Sequence, residues 1–127
     1  CPIRAEDCGG PDFKIYMEGG ETFKRAVTEF SNSIDRVLAK AGKSLSDVKF
    51  FVPHQANLRI IQAVAKRIGL PMEKVSVTLN KFGNSSSTSI GLALNDALEK
   101  NKIKEGDLVL FTGFGGGFTW GSTLMIW

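Results

Sequence analysis

The chain contains a single histidine. It is His54, in the stretch Phe51-Val52-Pro53-His54-Gln55-Ala56-Asn57-Leu58-Arg59. An apolar run precedes it and an amphipathic segment follows. A strand feeding a helix through a Pro-His corner would put this imidazole at a sheet edge, where pockets form. Near neutral pH, imidazole suits acid–base work or the stabilisation of charge. Two more features fall at equivalent places: Asn84 after the next expected strand, and Gly115-Gly116-Gly117 after a third. Parallel strands gather their C-terminal ends on one side of a sheet. An imidazole, a side-chain amide and unhindered backbone N–H groups would then converge, a set able to stabilise an oxyanion. No nucleophile accompanies them. Together they favour an acyl-transfer or carbanion site.

Each element also has a plainer reading. A lone histidine at a strand end is more often structural than catalytic. Asn84 after Gly83 suits a turn with unusual φ. The glycine run could simply connect a hairpin, and no Lys-Ser/Thr follows it, so it is not a phosphate loop. The serines after Asn84 suit a helix cap and lack the Gly-x-Ser-x-Gly elbow, although a serine nucleophile stays open. Arg59 and Lys66-Arg67 suit a solvated helix face.

The elements that must position these residues are legible from periodicity. Phe23, Ala26, Val27, Phe30, Ile34, Val37, Leu38 and Ala41 recur at helical spacing and predict a helix over Glu21 to Ala41, stopped by Gly42. Val48 to Val52 reads as a buried strand. Asn57 to Ile68 reads as a helix ended by Gly69 and Pro71. Val75 to Leu79 is rich in β-branched residues and reads as a strand. Ser85 to Ser89 offer N-caps for a helix carrying Ile90, Ala93, Leu94, Ala97 and Leu98. Leu108 to Phe111 and Thr119 to Trp127 read as two last strands. The order β-α-β-α-β-α-β-β implies an α/β fold: a mixed, mostly parallel sheet flanked by helices, with an antiparallel pair at its edge. Residues 1–16 form an N-terminal arm with a short strand near Phe13-Lys14-Ile15-Tyr16-Met17, and residues 17–127 the folded unit. The apolar last strand (Leu124, Met125, Ile126, Trp127) wants cover from a second domain or another subunit.

Bulk numbers narrow the classes. The chain has 127 residues, 43% hydrophobic and 23% charged, which reads as one soluble, globular domain. No apolar run nears the ~20 residues a membrane span needs. The net charge of +3 is mild and scattered, which argues against nucleic acid and suits an acidic protein or a phosphate-bearing ligand. Both cysteines, Cys1 and Cys8, lie in the arm without zinc-ligand spacing; they could form one disulfide, but free thiols are expected for an intracellular chain. No metal and no permanently bound cofactor is expected. A start on Cys without a signal pattern suggests a processed or partial polypeptide.

Val52-Pro53-His54-Gln55-Ala56-Asn57-Leu58-Arg59, Gly83-Asn84-Ser85-Ser86, and Phe114-Gly115-Gly116-Gly117-Phe118-Thr119-Trp120-Gly121 together resemble β-ketoacyl-acyl carrier protein synthase III. Three motifs in order make the resemblance specific, and it covers about Met17 to Trp127. It implies the C-terminal half of a thiolase-like fold. It also implies an acyltransferase that condenses an acyl-CoA primer, expected to be acetyl-CoA, with malonyl-acyl carrier protein to start fatty acids. By resemblance His54 and Asn84 belong to a Cys-His-Asn triad and stabilise the enolate, and Gly116 contributes to the oxyanion hole. Gln55, Ala56, Asn57, Leu58 and Arg59 would meet the carrier protein. Gly19, Phe23, Asn57 and Phe114 would line the substrate pocket. The implied partners are acyl carrier protein, a coenzyme A thioester and a second copy of the whole enzyme. The compartment would be cytoplasmic, or a plastid-type organelle.

The family's nucleophilic cysteine has no counterpart here, since Cys1 and Cys8 precede the matching region. A cysteine-bearing N-terminal half is therefore an expected partner. Two other functions remain open: a non-catalytic fragment binding carrier protein or pantetheine, and another thiolase-fold acyltransferase.

Overall fold

The computed structural model describes residues 19–127. The expected arm, the strand near Phe13–Met17, and both cysteines lie outside the described residues.

Helix α1 spans Gly19–Ala41 and buries Ala26, Phe30, Ile34 and Leu38, the stripe that helical spacing predicts. It stops where Gly42 takes φ +61° and the Lys43 N–H reaches back to the Leu38 carbonyl at 3.0 Å. Strand β1, Phe50–Pro53, is buried along its whole length. Helix α2, Leu58–Ile68, begins at Asn57, whose side-chain oxygen accepts the Arg59 N–H at 2.8 Å. Gly69 closes it at φ +78° in the left-handed conformation. A short helix α3, Leu79–Phe82, and helix α4, Thr88–Glu99, follow. Strands β2, Leu108–Gly115, and β3, Thr119–Ile126, close the described chain.

The sheet has the order β1-β2-β3. Strands β1 and β2 run parallel, with Phe51 opposite Leu110 and Val52 opposite Phe111. Strands β2 and β3 run antiparallel, with Phe114 opposite Trp120. Side chains alternate faces along a strand, and here each face has its own helices. Phe51 and Leu110 pack with Phe30, Ile34, Ile61 and Val64 of α1 and α2. Phe50, Val52 and Val109 pack with Ala93 and Ala97 of α4 and with Ile103. The result is a three-layer α/β unit, and burying a side chain such as Phe51 or Ile34 stabilises it by about 2–3 kcal/mol. Trp120, Met125 and Ile126 on β3 stay exposed.

The expected strand Val75–Leu79 is not a full strand. Only Val75 bridges, in parallel, to Phe51, and the Ser76 N–H donates to the Phe51 carbonyl at 2.8 Å. From Ser76 onward a side chain replaces the ladder. Gln55 Oε1 accepts the Thr78 N–H at 2.8 Å, and Gln55 Nε2 donates to the Ser76 carbonyl at 3.1 Å. The chain then turns into α3 at Leu79. β-branched composition reports fit to a pleated surface, and Gln55 provides that fit without a neighbouring strand.

Candidate active site

His54 follows β1 directly, and its backbone N–H donates to the Thr112 carbonyl at 2.7 Å, which extends the β1–β2 ladder by one residue. The imidazole is half-buried. Its Nδ1 lies 2.6 Å from Ser89 Oγ on the first turn of α4. That same oxygen accepts the Gln55 N–H at 3.1 Å. Burial pushes the His54 pKa below its ordinary 6.5, because desolvation penalises the imidazolium. At neutral pH this favours the uncharged ring.

His54 opens onto a cavity of about 450 Å³. Gly113, Phe114 and Gly115 at the end of β2 form one wall, and Thr119, Trp120 and Gly121 at the start of β3 continue it. Ser86, Ser87 and Ile90 at the start of α4 form the opposite side. The N-terminal end of a helix carries partial positive charge, so this side favours an anion. Phe114 is held by an edge-on contact to Phe30 at 5.7 Å and a tilted one to Phe118 at 5.3 Å, and Arg25 lies over the Phe118 ring at 5.3 Å. An uncharged imidazole, backbone next to small glycines, and a helix start thus share one concave space. Such a set can donate hydrogen bonds to an oxygen on which negative charge develops.

The expected site residues divide. His54 and Phe114 line the cavity. Asn84 is exposed in the turn before α4, outside the lining. Its Oδ1 accepts the Ser86 N–H at 3.1 Å, which leaves the Nδ2 amide as the side chain's donor. Gly116 lies on the hairpin turn beyond the lining, where its carbonyl accepts from Thr119 Oγ1 at 3.0 Å. Gly113 and Gly115 stand at the cavity in its place. Gly19 and Phe23 are exposed on the first turns of α1 and do not line this cavity.

Within the expected carrier surface, Leu58 and Arg59 are exposed, Ala56 is half-buried, and Asn57 serves as the α2 cap. Gln55 departs from expectation. It is 0% exposed and all its side-chain bonds go to backbone groups, the third being Nε2 to the Pro53 carbonyl at 2.8 Å. A buried amide must satisfy its donors and acceptor inside the protein, so Gln55 is scaffold rather than docking surface.

The serine run also departs from expectation. Ser87 precedes α4 with helical φ and ψ and makes no side-chain cap bond. Ser89, expected as part of a cap, is buried against His54 instead. Sequence reasoning did not mark Ser86, Ser87, Ile90, Thr119 or Trp120 as cavity residues. The one signal for them was their nearness in sequence to Asn84 and to the glycine run.

One further cluster joins the helices on either side of the Asn84 turn. Asp96 on α4 is buried and takes Lys100 Nζ at 2.6 Å and Lys81 Nζ of α3 on its other oxygen. Hydrogen bonds from Lys100 and Lys81 hold the Asp96 carboxyl below its usual range.

Comparison with known proteins places this geometry. The family profile described as 3-Oxoacyl-[acyl-carrier-protein (ACP)] synthase III C terminal matches residues 38–127. The chain is 47% identical over 129 residues to beta-ketoacyl-[acyl-carrier-protein] synthase III 1 of Bacillus cereus, covering 98% of this chain and 42% of that protein. It is 53% identical over 111 residues to beta-ketoacyl-[acyl-carrier-protein] synthase III of Sodalis glossinidius, covering 87% of this chain and 35% of that one. The crystal structure of 3-oxoacyl-[acyl-carrier-protein] synthase III from Aquifex aeolicus VF5 superposes with a TM-score of 0.87 at 46% identity, over 89% of this chain and 37% of the other. The chain spans less than half the length of these relatives. Motifs, fold and sequence agree that this chain belongs to the β-ketoacyl-[acyl-carrier-protein] synthase III family and carries that family's C-terminal domain.

Proposed function

We propose that this chain supplies the charge-stabilising side of a decarboxylating condensation. In this reading an acyl-CoA primer, acetyl-CoA by expectation, first acylates a cysteine on an N-terminal half that lies outside this chain. Malonyl-acyl carrier protein then enters. Its bond between Cα and the carboxylate breaks, carbon dioxide leaves, and the electron pair passes into an enolate on the thioester oxygen. The enolate carbon attacks the acyl-cysteine carbonyl, the thiolate departs, and a 3-oxoacyl-acyl carrier protein is formed.

The observation that carries this reading is the half-buried, uncharged imidazole of His54 at the mouth of a glycine-walled cavity of about 450 Å³. An uncharged ring is suited to donating a hydrogen bond to a nascent enolate, and hydrogen bonds that strengthen as charge develops accelerate the step. Asn84 Nδ2 is the second donor in this scheme, and a backbone N–H of the glycine run serves the acyl carbonyl. Ala56, Leu58 and Arg59 form the carrier-facing surface, with Gln55 beneath it. The scheme asks no metal or resident cofactor of these residues. A homodimer of the whole enzyme completes it.

The test is malonyl-carrier decarboxylation by the complete enzyme with His54→Ala or Asn84→Ala. Losing one preorganised donor to the oxyanion should slow the step by about 10²–10³-fold while cysteine acylation survives. Decarboxylation at the wild-type rate in both variants would reject the assignment.

A further inference from the structure

His54 Nδ1 and Ser89 Oγ are 2.6 Å apart, yet either atom could hold the shared proton. Counting donors and acceptors decides it. The Gln55 N–H already donates to Ser89 Oγ at 3.1 Å and occupies one of its lone pairs. The hydroxyl has a single proton to give. Among the described residues His54 Nδ1 is the one acceptor within its reach. If Nδ1 carried a hydrogen, the buried hydroxyl proton would have nowhere to go, and an unmade buried hydrogen bond is costly. The arrangement that satisfies all three groups is Gln55 N–H to Oγ, and Oγ–H to Nδ1.

We infer that Ser89 is a positioning residue that fixes His54 in the Nε2–H tautomer, so that the neutral ring donates, rather than accepts, on its other nitrogen. This deepens the proposed function and rests on it for its catalytic meaning. The tautomer of a histidine is set by the bond its other nitrogen makes. Here that bond comes from a side chain 99% buried on the first turn of α4. The same oxygen is pinned by the backbone of the residue after His54. The ring is thus held from α4, while its backbone is held by β2 through the Thr112 carbonyl.

The experiment uses the complete enzyme labelled with ¹⁵N-histidine, with His54→Asn identifying the His54 signals. Protonated and bare ring nitrogens resonate far apart, so the tautomer is read directly. In wild type the Nε2 signal should be that of an N–H and the Nδ1 signal that of a bare nitrogen accepting a hydrogen bond. Ser89→Ala should mix the two forms and slow malonyl decarboxylation about tenfold at unchanged KM, the effect of losing one hydrogen bond. Ser89→Thr should restore both. An Nδ1–H tautomer in wild type, or unchanged nitrogen signals in Ser89→Ala, overturns the assignment. A slower rate without a tautomer change overturns it too, because a purely structural role would do the same. If His54→Ala itself decarboxylates normally, the proposed function is what fails, and the nitrogen signals still decide the tautomer.

Discussion

The side chain of Gln55 holds the backbone at Thr78 where a strand would otherwise be needed, with Oε1 accepting the Thr78 N–H at 2.8 Å. Its Nε2 spans the Pro53 and Ser76 carbonyls at 2.8 and 3.1 Å. One amide thus joins the end of β1 to the segment leading into α3, with His54 next to it in sequence.

Removing that amide should be costly. Gln55→Ala leaves two carbonyls and one N–H unpaired in a fully buried place and opens a void. A loss of about 2–4 kcal/mol is expected, read as a lower urea midpoint of the complete enzyme. A change within about 0.5 kcal/mol, the range of an ordinary surface substitution, would contradict the scaffold role.

His54 makes stability depend on pH in a stated direction. The unfolded chain takes up a proton near 6.5, whereas the folded state does so at lower pH because burial disfavours the imidazolium. Between these values the unfolded state binds more protons, so stability rises with pH across the window and falls as acid is added. His54→Gln should flatten the dependence of melting temperature on pH just below 6.5. An unaltered slope would show that the ring titrates as in water.

The Asp96 cluster predicts a signature at lower pH. Its carboxyl is held down by Lys100 and Lys81, so the stability it gives is present above the usual carboxylate range. That stability is lost as pH falls through the depressed folded value. Asp96→Ala would leave two ammonium groups side by side and detach α3 from α4. It should lower the melting temperature by several degrees, on the order of 5 °C, and more than Lys100→Met does. Equal effects of the two substitutions would show that the carboxylate does not join the two helices.

Arg59 stands exposed on the first turn of α2, and under the proposed function it would separate two binding steps. Arg59→Glu should raise the KM for the malonyl-carrier substrate about tenfold or more, through slower association, while acylation by the small acyl-CoA changes about twofold or less. Equal losses for both substrates would remove Arg59 from the carrier surface.

How far the sequence was legible depended on the kind of signal. Helices α1, α2 and α4 were readable because their buried stripes repeat at 3.6 residues and because Gly42 and Gly69 stop the first two. The motifs around His54, Asn84 and the glycine run gave the family. Three features were not readable, and each turns on how one residue is placed. Gln55 lies within a polar stretch that looks like surface, yet it folds inward to replace a strand. Ser89 belongs to a serine run that suits a cap, yet it faces the imidazole. Gly116 sits mid-run among glycines, yet β2 continues through Gly115 and Gly116 opens the hairpin turn, which leaves Gly115 at the cavity. Residue type and spacing decide which element forms. The partner of a polar group is settled only when distant elements meet.

The bond from the His54 N–H to the Thr112 carbonyl puts the imidazole and the Gly113–Gly115 wall on one seam of the sheet. Strands tied in this way shift together or not at all. Ile90 and Trp120 reach the same cavity from the start of α4, next to Ser89, and from edge strand β3, where Trp120 stands opposite Phe114. Under the proposed function, a substitution at Ile90 or Trp120 would reshape the space offered to an acyl group and would also be felt by the imidazole, one residue from Ile90 through Ser89, and by β2, opposite Trp120.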